Sequence, residues 1–208
     1  MIFGTMIIKT ARLVLRPFRL MDAPGVAALA GDPRVARMLV DIPLPFDEPA
    51  ARRWLRWSWP ELRLGIEQDG RLIGGVCYFC NLGGDTSLGY WLGAAHWGKG
   101  YATEAAGALL AHGFERERMQ IFRSAHFVDN PASGRVLRRL GFSRVGETGA
   151  WCPARQAMVE VVTYALTREA AGYVPVRRTL AGWLGLRPLA NWPMQRPVRV
   201  ASFSKPSA

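Results

Sequence analysis

Leu13 and Leu15 fall on one face of an alternating run from Thr10 to Arg16 that Pro17 ends, which predicts a strand. The alternation then gives way to helix-start signals. Asp22 is placed to cap a short helix running to Ala30, and Asp32-Pro33 starts a second one to about Leu39 with proline at its first position. After the loop Ile42-Pro43-Leu44-Pro45, Asp47-Glu48-Pro49 starts a third helix that ends near Trp59-Pro60. Leu64–Gln68 and Leu72–Cys80, joined at Asp69-Gly70, predict a hairpin. Gly83-Gly84-Asp85 is a further turn before a strand at Thr86–Leu92. From Ala102 the apolar positions Ala102, Ala105, Ala106, Leu109, Leu110, Gly113 and Phe114 recur at the helical period. Ile121–Val128 reads as a strand and Pro131–Leu140 as a helix stopped by Gly141. Phe142–Val145 and Ala157–Leu166 supply the last strands. The order β, helices, βββ, α, β, α, ββ predicts an α/β (α+β) sandwich without internal repeats.

Composition narrows the class. The chain has 208 residues, half of them hydrophobic, enough for one domain with a sizeable core. The longest weakly charged stretch, Leu72 to Gly98, is broken by seven glycines and reads as a hairpin rather than a membrane span. No apolar run of signal-peptide length precedes Lys9 and Arg12, so a cytoplasmic protein is expected. Net charge is +11, and residues 168–208 carry seven basic residues against Glu169, leaving +5 for the body. A basic body suits an anionic cofactor or acidic partner better than a polycationic substrate. Three cysteines make an incomplete disulfide set. Cys77 and Cys80 have C-x-x-C spacing, but residues three apart in a strand face opposite sides, so no metal is expected there.

The densest chemistry lies between Leu88 and Phe142. A strand (Leu88-Gly89-Tyr90-Trp91-Leu92), a glycine turn (Trp97-Gly98-Lys99-Gly100) and a helix N-terminus follow one another. Turn and first-turn N–H groups lack internal partners and the helix dipole favours negative charge, so this is a diphosphate site. Gly93 to Lys99 meets most of a Walker A pattern, with Asp129 as a possible second acid. However, Gly100 stands where the magnesium-binding Ser or Thr belongs, which argues against a nucleotide hydrolase.

Another phosphate turn fits better: Gln or Arg, two residues, Gly, one residue, then Gly or Ala, with Gly100 and Ala102 at its end. Here the chain resembles the GNAT N-acetyltransferase superfamily, and most of all its RimJ/RimL-like branch of ribosomal-protein alanine acetyltransferases. Five passages carry the likeness: Thr10 to Pro17; Asp69-Gly70-Arg71-Leu72-Ile73-Gly74; Tyr90-Trp91-Leu92 with Trp97 to Ala105; Asn130-Pro131-Ala132-Ser133 with Val136-Leu137 and Leu140-Gly141-Phe142; and Tyr164 to Arg168. Trp97 replaces the general Gln or Arg, as is common in that branch.

The resemblance implies a mixed, mostly antiparallel sheet flanked by helices, a domain over 1–169, and acetyl transfer from acetyl-CoA to an amine without a metal. It implies that Gly98, Lys99, Gly100, Tyr101, Ala102 and Thr103 hold the CoA diphosphate beside Trp97, with Lys99 adding charge at the rim. Tyr90, Trp91 and Leu92 would pair by their backbone with the pantetheine arm, along a strand splayed from its neighbour. An N–H near Leu92 would steady the oxyanion. Asn130 is a helix cap in its own right, and the resemblance also puts it near the pantetheine and Ser133 near the sulfur as general acid. Tyr90 and Tyr101 are alternative acids that otherwise pack.

For the base, His126 is best placed, on the strand running into Asn130, against its other reading as a satisfied sheet histidine. Glu104 has the alternative of a dipole or capping carboxylate, and Glu67 is a third candidate. His96 and His112 receive no role. In the helix Ala51 to Trp59, Trp54 and Leu55 are expected in the core with solvated arginines, and Trp57 and Trp59 at the substrate mouth. The basic extension 170–208, with Trp183 and Trp192, is either a flexible tail or a tether to an anionic surface such as rRNA. The resemblance implies a protein N-terminus or a small amine as acceptor, with a non-catalytic CoA-binding module as the competing class, and it allows a monomer or homodimer.

Overall fold

The computed structural model describes residues 6–56, 61–80, 86–117 and 119–173. Expectations for Trp57, Trp59, the turn at 83–85 and the extension from 174, with Trp183, Trp192 and its tether role, lie outside them. The compact unit runs to Tyr173, whose ring packs on Phe114 with centroids 5.2 Å apart.

Among the described residues eight strands form one sheet: β1 (Ile8–Lys9), β2 (Val14–Pro17), β3 (Glu61–Gln68), β4 (Arg71–Cys80), β5 (Thr86–Leu92), β6 (Ile121–Phe127), β7 (Ser143–Cys152) and β8 (Ala157–Thr167). Their order across the sheet is β1-β2-β3-β4-β5-β6-β8-β7. Every neighbouring pair is antiparallel except β5–β6, which is parallel. The helices are α1 (Ala23–Ala30), α2 (Pro33–Ala36), α3 (Glu48–Arg56), α4 (Tyr101–Glu115) and α5 (Pro131–Arg139).

Strand alternation sends Leu62, Leu64, Ile66, Val76 and Leu88 to one face, and a register shift opposite Ile66 and Glu67 brings Ile73 to it as well; Ala105, Leu109 and Phe114 of α4 and Leu137 of α5 complete the main core there. On the other face α1 and α3 bury Ala23, Val26, Ala30 and Ala51 with Ile42 and Phe46, against Phe18, Leu72, Trp54 and Trp91. The sheet thus lies between two helical layers, and the fork described below opens at its middle.

Three expectations change. Thr10–Leu13 is a turn rather than the start of a strand: Thr10 N–H donates to Leu13 O (2.9 Å) and Leu13 N–H donates to Thr10 Oγ1 (3.0 Å). Asp22 does not cap α1, because its carboxylate accepts from Arg16 Nη1 (2.7 Å) and Arg19 N–H (2.7 Å) instead. β7 runs to Cys152, well past Val145; its exposed edge positions, with a register shift between Arg144 and Gly146, hide the alternation. Asp32 does cap α2, through Arg34 N–H (2.8 Å).

Candidate active site

Among the described residues the parallel pair β5–β6 is joined only at Thr86↔Phe122 and Ser87↔Arg123. Beyond it the strands part. Ser124, buried at the crotch, donates through Oγ to Leu88 O at 2.9 Å. Backbone groups of a strand alternate in direction. Gly93 N–H donates to Ile73 O of β4 (2.9 Å), so the odd residues Trp91 and Gly89 also turn towards β4, and Leu88, Tyr90 and Leu92 turn towards the fork. Tyr90 and Leu92 therefore present backbone to anything lying between β5 and β6. Trp91 does not, which corrects that part of the expectation. Its indole lies on the opposite layer, where a Cβ on Gly75 would stand 2.7 Å from Nε1.

At the end of β5 the chain turns into α4. Gly98 and Gly100 have φ of +75° and +81°, a region that L side chains enter only at a cost, and Gly100 is the residue before the helix. The first intrahelical bond runs from Glu104 N–H to Gly100 O (3.1 Å). In any α-helix the earlier N–H groups, here those of Tyr101, Ala102 and Thr103, lack an intrahelical acceptor. Thr103 Oγ1 is buried with no hydrogen-bond partner, and the same holds for His96 Nδ1 before the turn. Burial, then the nearby charge of Lys99, holds the His96 pKa below its usual value. Lys99 is exposed. Trp97 Nε1 donates to Leu92 O (2.8 Å) and so ties the turn to the fork. Orphan donors, a buried orphan hydroxyl and two left-handed glycines fit a diphosphate.

The turn is braced from the Thr10–Leu13 turn that precedes β2. Glu104 Oε1 accepts from the Thr10 hydroxyl (2.6 Å) and Arg12 N–H (2.9 Å), and Oε2 accepts from Arg12 Nε (2.7 Å). Arg12 Nη1 also donates to Lys99 O (3.0 Å), and its guanidinium covers the Tyr101 ring. Burial raises the Glu104 pKa, but the Thr10 and Arg12 hydrogen bonds outweigh it and leave the carboxyl below its usual value. Glu104 is thus a brace rather than a base. Tyr101 is buried in the core. The brace was missed because Thr10 and Arg12 lie some ninety residues from Glu104.

The other side of the fork leads into α5. Asn130 Oδ1 accepts from Ser133 N–H (3.2 Å), a cap, and Pro131 is the first helical residue. Tyr90 Oη lies 2.9 Å from Ser133 Oγ and 3.1 Å from Ser133 O. The fork, the turn and this helix start bring together Tyr90, Leu92, Trp97, Gly98, Gly100, Thr103, Asn130 and Ser133.

His126 takes the structural role. Its Nδ1 lies 2.8 Å from Phe127 O, which can only accept, so Nδ1 carries the proton. Nε2 then accepts from Tyr164 Oη at 3.4 Å, and a Cβ on Gly134 would stand 2.6 Å from it. Both ring nitrogens are engaged under α5, which corrects the expectation of a base. Glu67 accepts from Arg16 Nε (2.7 Å), and the two terminal nitrogens of the same guanidinium donate to Asp22.

One acid escaped the sequence reading. Asp41 Oδ2 accepts from Trp54 Nε1 (2.8 Å), and Arg63 stacks on that indole at 4.6 Å. Asp41 is exposed by area, although protein atoms crowd its carboxylate. Burial pushes its pKa up, against the Trp54 hydrogen bond and the charge of Arg63. An aspartate before Ile42-Pro43 reads as an ordinary loop residue in sequence. A separate recess of about 160 Å³, beside α4 at Leu110, Ala111 and Tyr173, lies outside this assembly.

A family model described as an acetyltransferase (GNAT) domain matches residues 12–143. The chain is 28% identical over 176 residues to the uncharacterized N-acetyltransferase p20 of Bacillus licheniformis, covering 78% of this chain and 97% of that one. It is 26% identical over 159 residues to the uncharacterized N-acetyltransferase YoaA of Bacillus subtilis, covering 67% and 84%. A GNAT-family acetyltransferase from Bacillus anthracis is similar in structure, with a TM-score of 0.70 at 25% identity over 79% of this chain and 99% of that one. RimL, a ribosomal L7/L12 alpha-N-protein acetyltransferase solved with coenzyme A, has a TM-score of 0.70 at 20% identity, covering 79% and 99%, a likeness of fold. With a forked sheet and a glycine turn in place, and a family model spanning most of the body, the chain belongs to the GNAT acetyltransferase family and is an N-acetyltransferase.

Proposed function

We propose that this N-acetyltransferase moves the acetyl group of acetyl-CoA onto a primary amine, of a protein N-terminus such as that of a ribosomal protein or of a small molecule. The observation that carries the reading is the fork: two strands paired at two positions and then parted, with a glycine turn and helix N-terminus at its mouth. GNAT enzymes use acetyl-CoA.

Acetyl-CoA supplies an activated acetyl thioester. In this reading the N–H groups of Gly98 to Thr103 hold its diphosphate, with Lys99 at the rim and Thr103 Oγ1 given a partner. Tyr90 and Leu92 hold the pantetheine by their backbone, and the Leu92 N–H faces the oxyanion that forms as nitrogen attacks the carbonyl carbon. Ser133 donates its proton to the departing sulfur from a helix start fixed by Asn130. The wall that carries Asp41 and Trp54 receives the amine. The Asp41 carboxylate, with one oxygen occupied by Trp54, offers the other to the amine as it arrives charged, and the ammonium gives up a proton to solvent water before its nitrogen attacks.

The test is acetyl-CoA turnover, followed by thiol release, against N-terminal peptides and small amines, for wild type and Ser133→Ala. Turnover by the wild type with a particular amine class names the acceptor. A fall of about 100-fold or more in the maximal rate for Ser133→Ala, with CoA binding retained, is expected of a lost general acid. A wild-type rate for that variant contradicts the acid role. Absence of CoA binding contradicts the whole reading.

A further inference from the structure

We infer that Tyr90 is a positioning residue for Ser133: its phenol donates to Ser133 Oγ and thereby turns the serine's own proton towards the leaving sulfur. The inference rests on the reading of Ser133 as general acid.

The contact joins two elements. Tyr90 stands on β5, Ser133 in the first turn of α5, and Tyr90 Oη lies 2.9 Å from Oγ and 3.1 Å from the Ser133 carbonyl oxygen. The phenol has one proton and so two arrangements. In the first it donates to the carbonyl, and the serine hydroxyl donates back to the phenol. The serine proton is then spent inside the protein. In the second the phenol donates to Oγ, which frees the serine proton to point away. Three features favour the second. The Ser133 carbonyl is already addressed by the Leu137 N–H, four residues on in the same helix. The Ser133 N–H is held by Asn130 Oδ1, so the backbone that carries Oγ is fixed beside the Tyr90 phenol. Burial lifts the Tyr90 pKa to about 12, with the Ser133 hydrogen bond opposing it and Tyr164 adding to it, so the phenol is a standing donor at neutral pH.

Tyr90 thus acts twice. Its backbone faces the fork where the pantetheine arm lies, and its side chain orients the acid. As the C–N bond forms and the C–S bond breaks, the sulfur gains Ser133's proton, the attacking nitrogen gives up a proton to solvent water, and the serine regains one from solvent as the thiol leaves. While Oγ is short of its proton, the Tyr90 O–H stabilises the negative charge on it.

The test is a double-mutant cycle on the maximal rate with Tyr90→Phe, Ser133→Ala and both, each checked for CoA binding by calorimetry. If Tyr90 works through the serine hydroxyl, Tyr90→Phe lowers the rate by about tenfold, as expected for one lost hydrogen bond, and has less than about a twofold effect once Ser133 is alanine. A purely structural phenol gives the same loss in both backgrounds, which overturns the inference. So does a wild-type rate for Tyr90→Phe while Ser133→Ala is slow. A wild-type rate for Ser133→Ala instead overturns the acid reading beneath it. Should Tyr90→Phe fold poorly, a ring-fluorinated tyrosine at position 90 keeps the shape and acidifies the donor. Its turnover is expected at or above wild type, and a loss there contradicts the inference.

Discussion

Gly100→Ala separates the backbone geometry of the turn from its chemistry. Gly100 has φ +81° and ψ 0°, and an added Cβ would meet Arg12 Nη2 at 3.4 Å, an ordinary contact. The penalty is therefore conformational, about 1–2 kcal/mol for an L residue held in the left-handed region. For a body of this size that is a fall of about 2–8 °C in melting temperature. A turn that relaxes to avoid the strain repoints the N–H groups of Gly100 and Tyr101. Losing one charge-assisted contact of about 1.5–3 kcal/mol weakens CoA by at least about tenfold. Gly70→Ala supplies the control. Gly70 has φ +74° with nothing within 4 Å, in the turn between β3 and β4. Both variants should melt lower by similar amounts in scanning fluorimetry, and only Gly100→Ala should lose CoA affinity by calorimetry. Equal CoA affinity in Gly100→Ala and wild type, or an equal loss in Gly70→Ala, refutes the placement of the diphosphate.

Four further outcomes follow from the same geometry. Arg16 is 6% exposed and holds both Asp22 and Glu67, so Arg16→Met should lower the unfolding free energy by about 3–5 kcal/mol in denaturant titrations, since two carboxylates lose their partner. In Asp22 burial is outweighed by the hydrogen bonds from Arg16 and Arg19, and in Glu104 by those from Thr10 and Arg12, so both carboxyls sit below their usual values. The stability they contribute is full at neutral pH and lost as pH falls from about 4 through the lowered folded values, which a melting series against pH would show as a steep acid limb. Gly134→Ala would put a Cβ 2.6 Å from His126 Nε2, whose ring is pinned to Phe127 O, so α5 must shift; the maximal rate should fall about 10- to 100-fold with little change in CoA affinity. Asp41→Asn should weaken acceptor binding while raising the melting temperature at neutral pH, because a carboxyl whose folded pKa is raised opposes folding above its unfolded value; a lower melting temperature would contradict that sign.

The central block was legible because its signals are local. Thr86–Leu92 agrees at both ends with the observed strand, and the Asn130-Pro131 start of α5 is a cap that the sequence states directly. The fork itself follows from the resemblance rather than from any residue pattern, since both strands look like ordinary strands. What sequence missed is held by contacts far apart along the chain. Arg16 draws Asp22 away from its helix, and Glu104 is committed to Thr10 and Arg12. His126 looked reactive because it precedes Asn130, but Phe127 O and Tyr164 occupy its ring. Trp91 was grouped with its neighbours although alternation turns its backbone the other way.

The most direct test of the fork as the CoA site is amide hydrogen exchange with and without CoA. The account predicts slowed exchange at Tyr90 and Leu92, across Gly98 to Thr103, and at the start of α5, with Trp91 little changed because its N–H is already directed at β4. Protection confined to the recess beside Leu110 and Tyr173, or equal exchange at Tyr90 and Leu92 in the presence of saturating CoA, contradicts it.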